Sequence, residues 1–185
     1  MAVDLPSHEA FEKLYEGLKT AGNGLKPVRP GNQHLTLKFV GEPPCTVEEI
    51  NNVGESATSN HSAFRMGIGT SGAFPNWYRP KVLWIGLEGE NRLKELADDM
   101  DRQLNRLCGI KTERREFRAH ITAARVRESR KTDLTQAKQA LEKCVDELLR
   151  DGYSIHVEEI HLFNSTLIPT GPIYEKIKTF KLGFG

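Results

Sequence analysis

The sequence predicts an α+β fold of two similar lobes, each an antiparallel sheet with flanking helices, facing each other across a cleft. Three observations carry this expectation. The order helix, His-x-Thr strand, helix, strand, strand occurs twice, roughly over 1–88 and 89–185. The offset is constant, with 86 residues from His34 to His120 and 86 from Thr46 to Thr132. The connections read as hairpins and short helices, which favours an α+β arrangement over a doubly wound parallel sheet.

The first half opens with Ser7 as an expected N-cap. Phe11, Leu14 and Leu18 then mark one helical face that ends near Gly22. After a stretch carrying Pro27, Pro30 and Gly31, residues 34–40 (His-Leu-Thr-Leu-Lys-Phe-Val) begin with polar–apolar alternation and read as a strand. Gly41, Pro43 and Pro44 close it. Thr46 and Glu49 form a capping box ahead of Ile50, Val53 and Ala57. Residues 63–70 alternate through Phe64, Met66 and Ile68, and Val82 to Leu87 is a compact apolar strand.

The second half repeats this order. Leu93, Leu96, Ala97, Met100, Leu104 and Leu107 make a long helical stripe, with Gly109 as C-cap. His120-Ile121-Thr122-Ala123 lies in a strand. Leu134, Ala137, Leu141, Val145 and Leu148 form another helix, ended by Gly152. Tyr153, Ile155 and Val157 alternate as a strand, and a final segment runs from Pro172 to Phe180.

Composition narrows the function classes. With 26 Lys+Arg against 25 Asp+Glu and an apolar share of 38%, the chain is that of an ordinary globular protein, expected as one domain and a monomer. No apolar run approaches the ~18 residues of a membrane span, and residues 1–6 lack a signal-peptide pattern. Cys45, Cys108 and Cys144 are far apart and make no C-x-x-C pair, so they suggest thiols in a reducing cytoplasm and no metal site. The balanced total hides a basic stretch. Residues 111–131 hold Lys111, Arg114, Arg115, Arg118, Arg125, Arg127, Arg130 and Lys131 against Glu113, Glu116 and Glu128. Such a patch attracts phosphate-bearing ligands, or is a solvated face.

His120 sits in the middle of that stretch. Side chains at i and i+2 share a strand face, so His34 with Thr36 and His120 with Thr122 can point into one cleft. Two imidazoles near pKa ~6.5 can divide acid and base work at neutral pH. Two threonine hydroxyls can hold the non-bridging oxygens of a phosphate. The chemistry this suits is transfer at a phosphodiester with neither metal nor cofactor, and a strained cyclic phosphate is the easiest substrate for so sparse a site. The competing reading is two edge-strand histidines with threonines chosen for strand propensity.

Further stretches extend the pattern: 28–30 and 34–42, 74–76 with 79–84, then Ala119-His120-Ile121-Thr122-Ala123-Ala124-Arg125, Ser165-Thr166-Leu167 and Gly171-Pro172-Ile173-Tyr174. In this order and over nearly the whole chain, the sequence resembles the 2H phosphoesterases, in particular the RNA 2′,3′-cyclic phosphodiesterase / 2′–5′ RNA ligase family. The resemblance implies a bilobal fold around a central groove. It implies opening of an RNA 2′,3′-cyclic phosphate to a 2′-phosphate, and ATP-independent ligation as the reverse reaction with a 5′-hydroxyl in place of water. Carried over, His34 is the proton donor to the departing 3′ oxygen, His120 the proton acceptor from water, and Thr36 and Thr122 the phosphate holders. Partners would be RNAs with cyclic phosphate ends, such as tRNA fragments, or nucleotides. A non-catalytic nucleotide- or RNA-binding module on the same fold is the alternative. Two departures stand out: only Met1 precedes Ala2-Val3-Asp4 where the family has a longer apolar strand, and Ala123 replaces a larger aliphatic.

Lys38, Arg118 and Arg125 are the candidate RNA contacts, the first two because their spacing places them on the histidine faces. Phe39 alternates to the opposite face and is expected in the core, with base stacking as its functional alternative. Trp77 and Tyr78 belong to a loop. His8, His61, His156 and His161 show no convergent spacing and read as structural or surface residues. Gly67, Gly69 and Gly72 do not make a dinucleotide fingerprint.

Overall fold

The computed structural model describes residues 1–113, 116–127, 132–168 and 171–183, with the side chains of 167, 168, 171 and 172 excluded. Arg114, Arg115, Glu128, Arg130 and Lys131 of the basic stretch lie outside the described residues. Four helices are described: α1 (Glu9–Thr20), α2 (Val47–Ser59), α3 (Asn91–Cys108) and α4 (Leu134–Arg150). The apolar stripes expected of them are largely buried, such as Leu93, Leu96, Met100 and Leu104 on α3, but Leu107, expected in the same stripe, is 54% exposed in the last turn of that helix. The Thr46–Glu49 capping box forms and Gly109 ends α3 with φ +64°. The cap of α1 is His8 rather than Ser7. Its backbone is extended and its Nδ1 accepts the Ala10 amide at 3.1 Å.

The strands are β1 (Ala2–Asp4), β2 (Leu25–Pro27), β3 (His34–Thr36), β4 (Phe64–Phe74), β5 (Val82–Glu88), β6 (His120–Val126), β7 (Ser154–Val157), β8 (Glu159–Ile168) and β9 (Gly171–Lys181). They form one curled antiparallel sheet in the order β7-β4-β5-β6-β3-β1-β8-β9, with β2 added alongside β6. Helices α1 and α4 pack against each other behind the β4 end, and α2 and α3 behind the β8–β9 end. This is the bilobal α+β fold expected, with β3 and β6 as the seam. The two halves of the sequence do not each make a lobe, however. One lobe combines α1, β4 and β5 with β6 and α4 from the second half. The other combines β1, β3 and α2 with α3, β8 and β9.

Three strands escape the sequence pattern. β1 and β2 are too short to show a period, and β8 carries polar Asn164, Ser165 and Thr166. β4 extends to Phe74. The strand expected over 34–40 stops at Thr36, because the amides of Leu37 and Lys38 both turn to the Met1 carbonyl, at 2.9 and 3.2 Å. Leu37 and Lys38 are then buried in succession, at 5% and 3% exposure. Alternation is reset there, and Phe39, expected in the core, is 69% exposed.

Candidate active site

β3 and β6 pair antiparallel, with Leu35 opposite Ile121. Both of these face the core at 1% exposure. Continuing that register sets His34 across from Thr122 and Thr36 across from His120, all four half-buried on the opposite, concave face. The two histidines occupy one diagonal of this quartet and the two threonines the other. Diagonal positions on an antiparallel pair lie about 7–8 Å apart, a gap that accepts one phosphate between two imidazoles.

The two rings are oriented alike. His34 Nδ1 lies 3.0 Å from the Asn32 carbonyl, and His120 Nδ1 lies 2.7 Å from the Arg118 carbonyl. A carbonyl oxygen only accepts, so each Nδ1 carries the hydrogen and each Nε2 is left for chemistry. Aromatic edges hold the rings in place: Tyr174 stands 4.9 Å from His34, and Phe74 stands 5.1 Å from His120. Phe74 in turn stacks on Trp84, whose indole covers Gly72 so closely that a Cβ there would meet Cη2 at 2.6 Å. Burial, opposed by the Asn32 hydrogen bond, pushes the His34 pKa below its usual value, and the Arg125 charge adds to the depression.

Arg125 reaches this face by a local irregularity. Leu83 pairs with Ala124 but Trp84 pairs with Thr122, so Ala123 is an extra residue on β6. Ala123 and Ala124 are both buried, at 3% and 0%. The bulge flips the alternation and brings exposed Arg125 onto the face of His120 and Thr122. Its charge acts on both His34 and Tyr174. Arg118 is exposed two residues before His120.

Lys38 is a correction. Its spacing suggests the phosphate face, but the reset at Leu37–Lys38 sends it to the core side. Its ammonium is paired there with Asp101, lies 3.6 Å from Glu113, and donates to the Lys111 carbonyl at 2.8 Å. It therefore leaves the candidate site.

The structure adds residues that spacing alone does not single out. Asp4 lies opposite His34 on β1, and Lys26 lies opposite Arg125 on β2. Asp4 binds Lys176 at 2.9 Å, and Lys176 approaches the ring of Phe163. A pocket of about 260 Å³ opens beside His34, lined by Asp4, Asn32, Gln33, Phe163 and Tyr174. The signal for these residues is the repeat-wide motif that carries Tyr174, not any local period. His161 is buried beside this cluster, with Nδ1 2.9 Å from the Thr179 hydroxyl. Among the described residues no three His, Cys, Asp or Glu side chains converge as a metal set, and no helix is long and apolar enough to cross a membrane.

Burial also lowers the His161 pKa. For His34 and His161 alike, the folded state disfavours the imidazolium. Their contribution to stability is complete above ~6.5 and is lost as pH falls through the depressed folded values. The thermal midpoint is therefore expected to drop between pH 7.5 and pH 5, and to drop less in His161→Gln.

The repeat is also visible in comparison with known proteins. The family described as LigT like Phosphoesterase matches the chain twice, over residues 3–84 and 85–174. The chain belongs to this family. Among its relatives, the RNA 2′,3′-cyclic phosphodiesterase of Methanocaldococcus jannaschii is 34% identical over 183 residues, covering 96% of both chains. Those of Methanothermobacter thermautotrophicus (31% identical, covering 98% of this chain and 97% of the relative) and Aquifex aeolicus (37%, covering 85% and 82%) bear the same name. The crystal structure of TT0787 of Thermus thermophilus superposes with a TM-score of 0.75 at 27% identity, covering 99% of this chain and 96% of that one. E. coli LigT complexed with NADP+ does so with 0.65 at 26%, covering 98% and 95%. In this LigT-like chain, the two matched segments each contribute one His-x-Thr strand to the seam.

Proposed function

We propose that this LigT-like phosphoesterase opens the 2′,3′-cyclic phosphate at the end of an RNA, leaving a 2′-phosphate. The observation that carries the reading is the β3–β6 quartet, in which two imidazoles with free Nε2 atoms face each other diagonally across two hydroxyls. The names of the curated relatives support the substrate class. The E. coli neighbour's NADP+ complex supports a nucleotide ligand.

In this mechanism Thr36 and Thr122 donate to the non-bridging oxygens, where charge accumulates in the transition state. Arg125 lies on the same face and adds a fixed positive charge. His120 Nε2 takes a proton from water, the oxygen attacks phosphorus, and the P–O3′ bond breaks as His34 Nε2 gives its proton to the 3′ oxygen. The asymmetry of the groove supports these roles. The pocket lined by Tyr174 and Phe163 adjoins His34, and it suits the terminal nucleoside, whose ribose carries the leaving oxygen. On the other side, Phe74, backed by Trp84, stands edge-on against His120. Burial by itself favours neutral His34, and an anionic phosphate between the rings favours its imidazolium.

One chain supplies the whole quartet, which supports action as a monomer. The free thiols Cys45, Cys108 and Cys144 suit a reducing cytoplasm. The test is incubation of a short RNA ending in a 2′,3′-cyclic phosphate with the protein in EDTA, followed by identification of the product. A 2′-phosphate is expected. A 3′-phosphate would reverse the leaving oxygen, and tight RNA binding with no product at any pH would replace the enzyme with a binding module.

A further inference from the structure

Two helix ends bring a pair of thiols together. Cys45 is the residue before the Thr46 N-cap of α2, and Cys108 is the last residue of α3. The two helices pack on each other, with the start of α2 against the end of α3. Pro44 Cγ lies 3.8 Å from the place a Cβ of Gly109 would take. The chain neighbours of the two cysteines are therefore in contact, and the Cys45 thiol is a side-chain hydrogen-bond partner of the Cys108 thiol. Both backbones are held in place. At α2 the capping box ties Thr46 to Glu49. At α3 the Gly109 amide returns to the Asn105 carbonyl and the Ile110 amide to the Leu104 carbonyl. Asn105 Nδ2 closes this cap by donating to the Ile110 carbonyl at 2.9 Å.

The two sulfurs differ in access. Cys108 is 3% exposed, and burial, with the Cys45 contact adding to it, pushes its thiol up to about 12. Cys45 is only half-buried. Cys144 is buried on α4, in the other lobe. A reachable thiol backed by a buried one is the arrangement of an attacking and a resolving cysteine. We propose that Cys45 and Cys108 are an oxidative modification site, a dithiol that a small-molecule disulfide such as oxidised glutathione closes into a bond stapling α2 to α3.

The Cys45 thiolate attacks one sulfur of the glutathione disulfide, forming a mixed disulfide and releasing one glutathione thiolate. The Cys108 sulfur then attacks Cys45 Sγ and releases the second. Each protein thiol gives up its proton, and each departing thiolate takes one. Two protein thiols are oxidised, and one glutathione disulfide is reduced to two thiols. The bond ties the chain that leaves β3 to the chain that leads into β6, so it closes a long loop in the unfolded state. With glutathione mainly reduced, the pair stays open.

The test treats the native protein with oxidised glutathione at about pH 8.5, where thiolates form. The product is then alkylated in denaturant and mapped by mass spectrometry. A peptide joining Cys45 to Cys108 is expected, with Cys144 alone alkylated. The thermal midpoint of the oxidised protein is expected to rise by roughly 5–10 °C and to return on adding dithiothreitol. Cys45→Ser changes a half-buried position, and it is expected to fold, to show no rise and to carry no glutathione on Cys108. A lasting glutathione adduct on Cys45 with Cys108 free would overturn the proposal, since the sulfurs then fail to reach bonding geometry. Three alkylated cysteines after the treatment, a link through Cys144, or a midpoint no higher once the Cys45–Cys108 bond is formed would overturn it as well.

Discussion

Alanine at either His34 or His120 is expected to lower kcat on a 2′,3′-cyclic phosphate by about 10²–10⁴-fold, the usual contribution of one positioned acid or base. Each ring is half-buried, with its Nδ1 tied only to a backbone carbonyl. Removing it therefore leaves the core intact, and product binding and thermal midpoint are expected to change little. The double variant is expected to fall little below the worse single one, because the two rings act on one transition state. The roles separate with a substrate whose 3′ oxygen is replaced by sulfur. A thiolate departs without a proton, so His34→Ala regains most of its lost rate on that substrate while His120→Ala regains none. The opposite pattern would exchange donor and acceptor. Full activity of His34→Ala on the ordinary substrate would remove the mechanism altogether.

Lys38→Ala is expected to destabilise the fold by about 3 kcal/mol, the lower end for breaking a buried ion pair. The Lys38 side chain is 2% exposed, and its partner Asp101 is 17% exposed. Its loss leaves that carboxylate and the Lys111 carbonyl facing an unfilled site. Lys38→Met combined with Asp101→Asn is expected to recover most of the loss, because the hydrophobic stem is kept and the stranded charge removed. Denaturant unfolding measures both. RNA affinity of the folded protein is expected to be the same in all three forms. A selective loss of RNA affinity at native stability would return Lys38 to the phosphate site.

Lys38 also shows where sequence reasoning stops. The four helices are legible because each has a stripe that recurs every three or four residues, and two of them have caps readable as text. The quartet is legible because two His-x-Thr pairs stand at the same offset from their helices. What lies beyond Thr36 and Thr122 is not. Strand alternation predicts faces only while the ladder is regular, and both strands break it by one residue. Those breaks come from distant partners, the Met1 carbonyl in one case and the β5 register in the other. A local pattern carries no trace of either. Hence alternation puts Lys38 in the groove and Phe39 in the core, each on the wrong side. β1 is invisible for a related reason: its three residues are a strand because β3 and β8 flank them.

The interleaving of the two halves bears on how such a chain could arise. Each lobe takes its helices and strands from both halves, so a half-length ancestor would have had half a sheet and one unpaired helix per lobe. Two copies related by the axis between β3 and β6 supply every missing piece, and each copy then contributes one His-x-Thr strand to a shared groove. The present chain has the architecture of a symmetric dimer whose subunits were joined end to end. Joining two such copies in one chain would free them to diverge, and the equivalent positions 125 and 39 carry an arginine and a phenylalanine here.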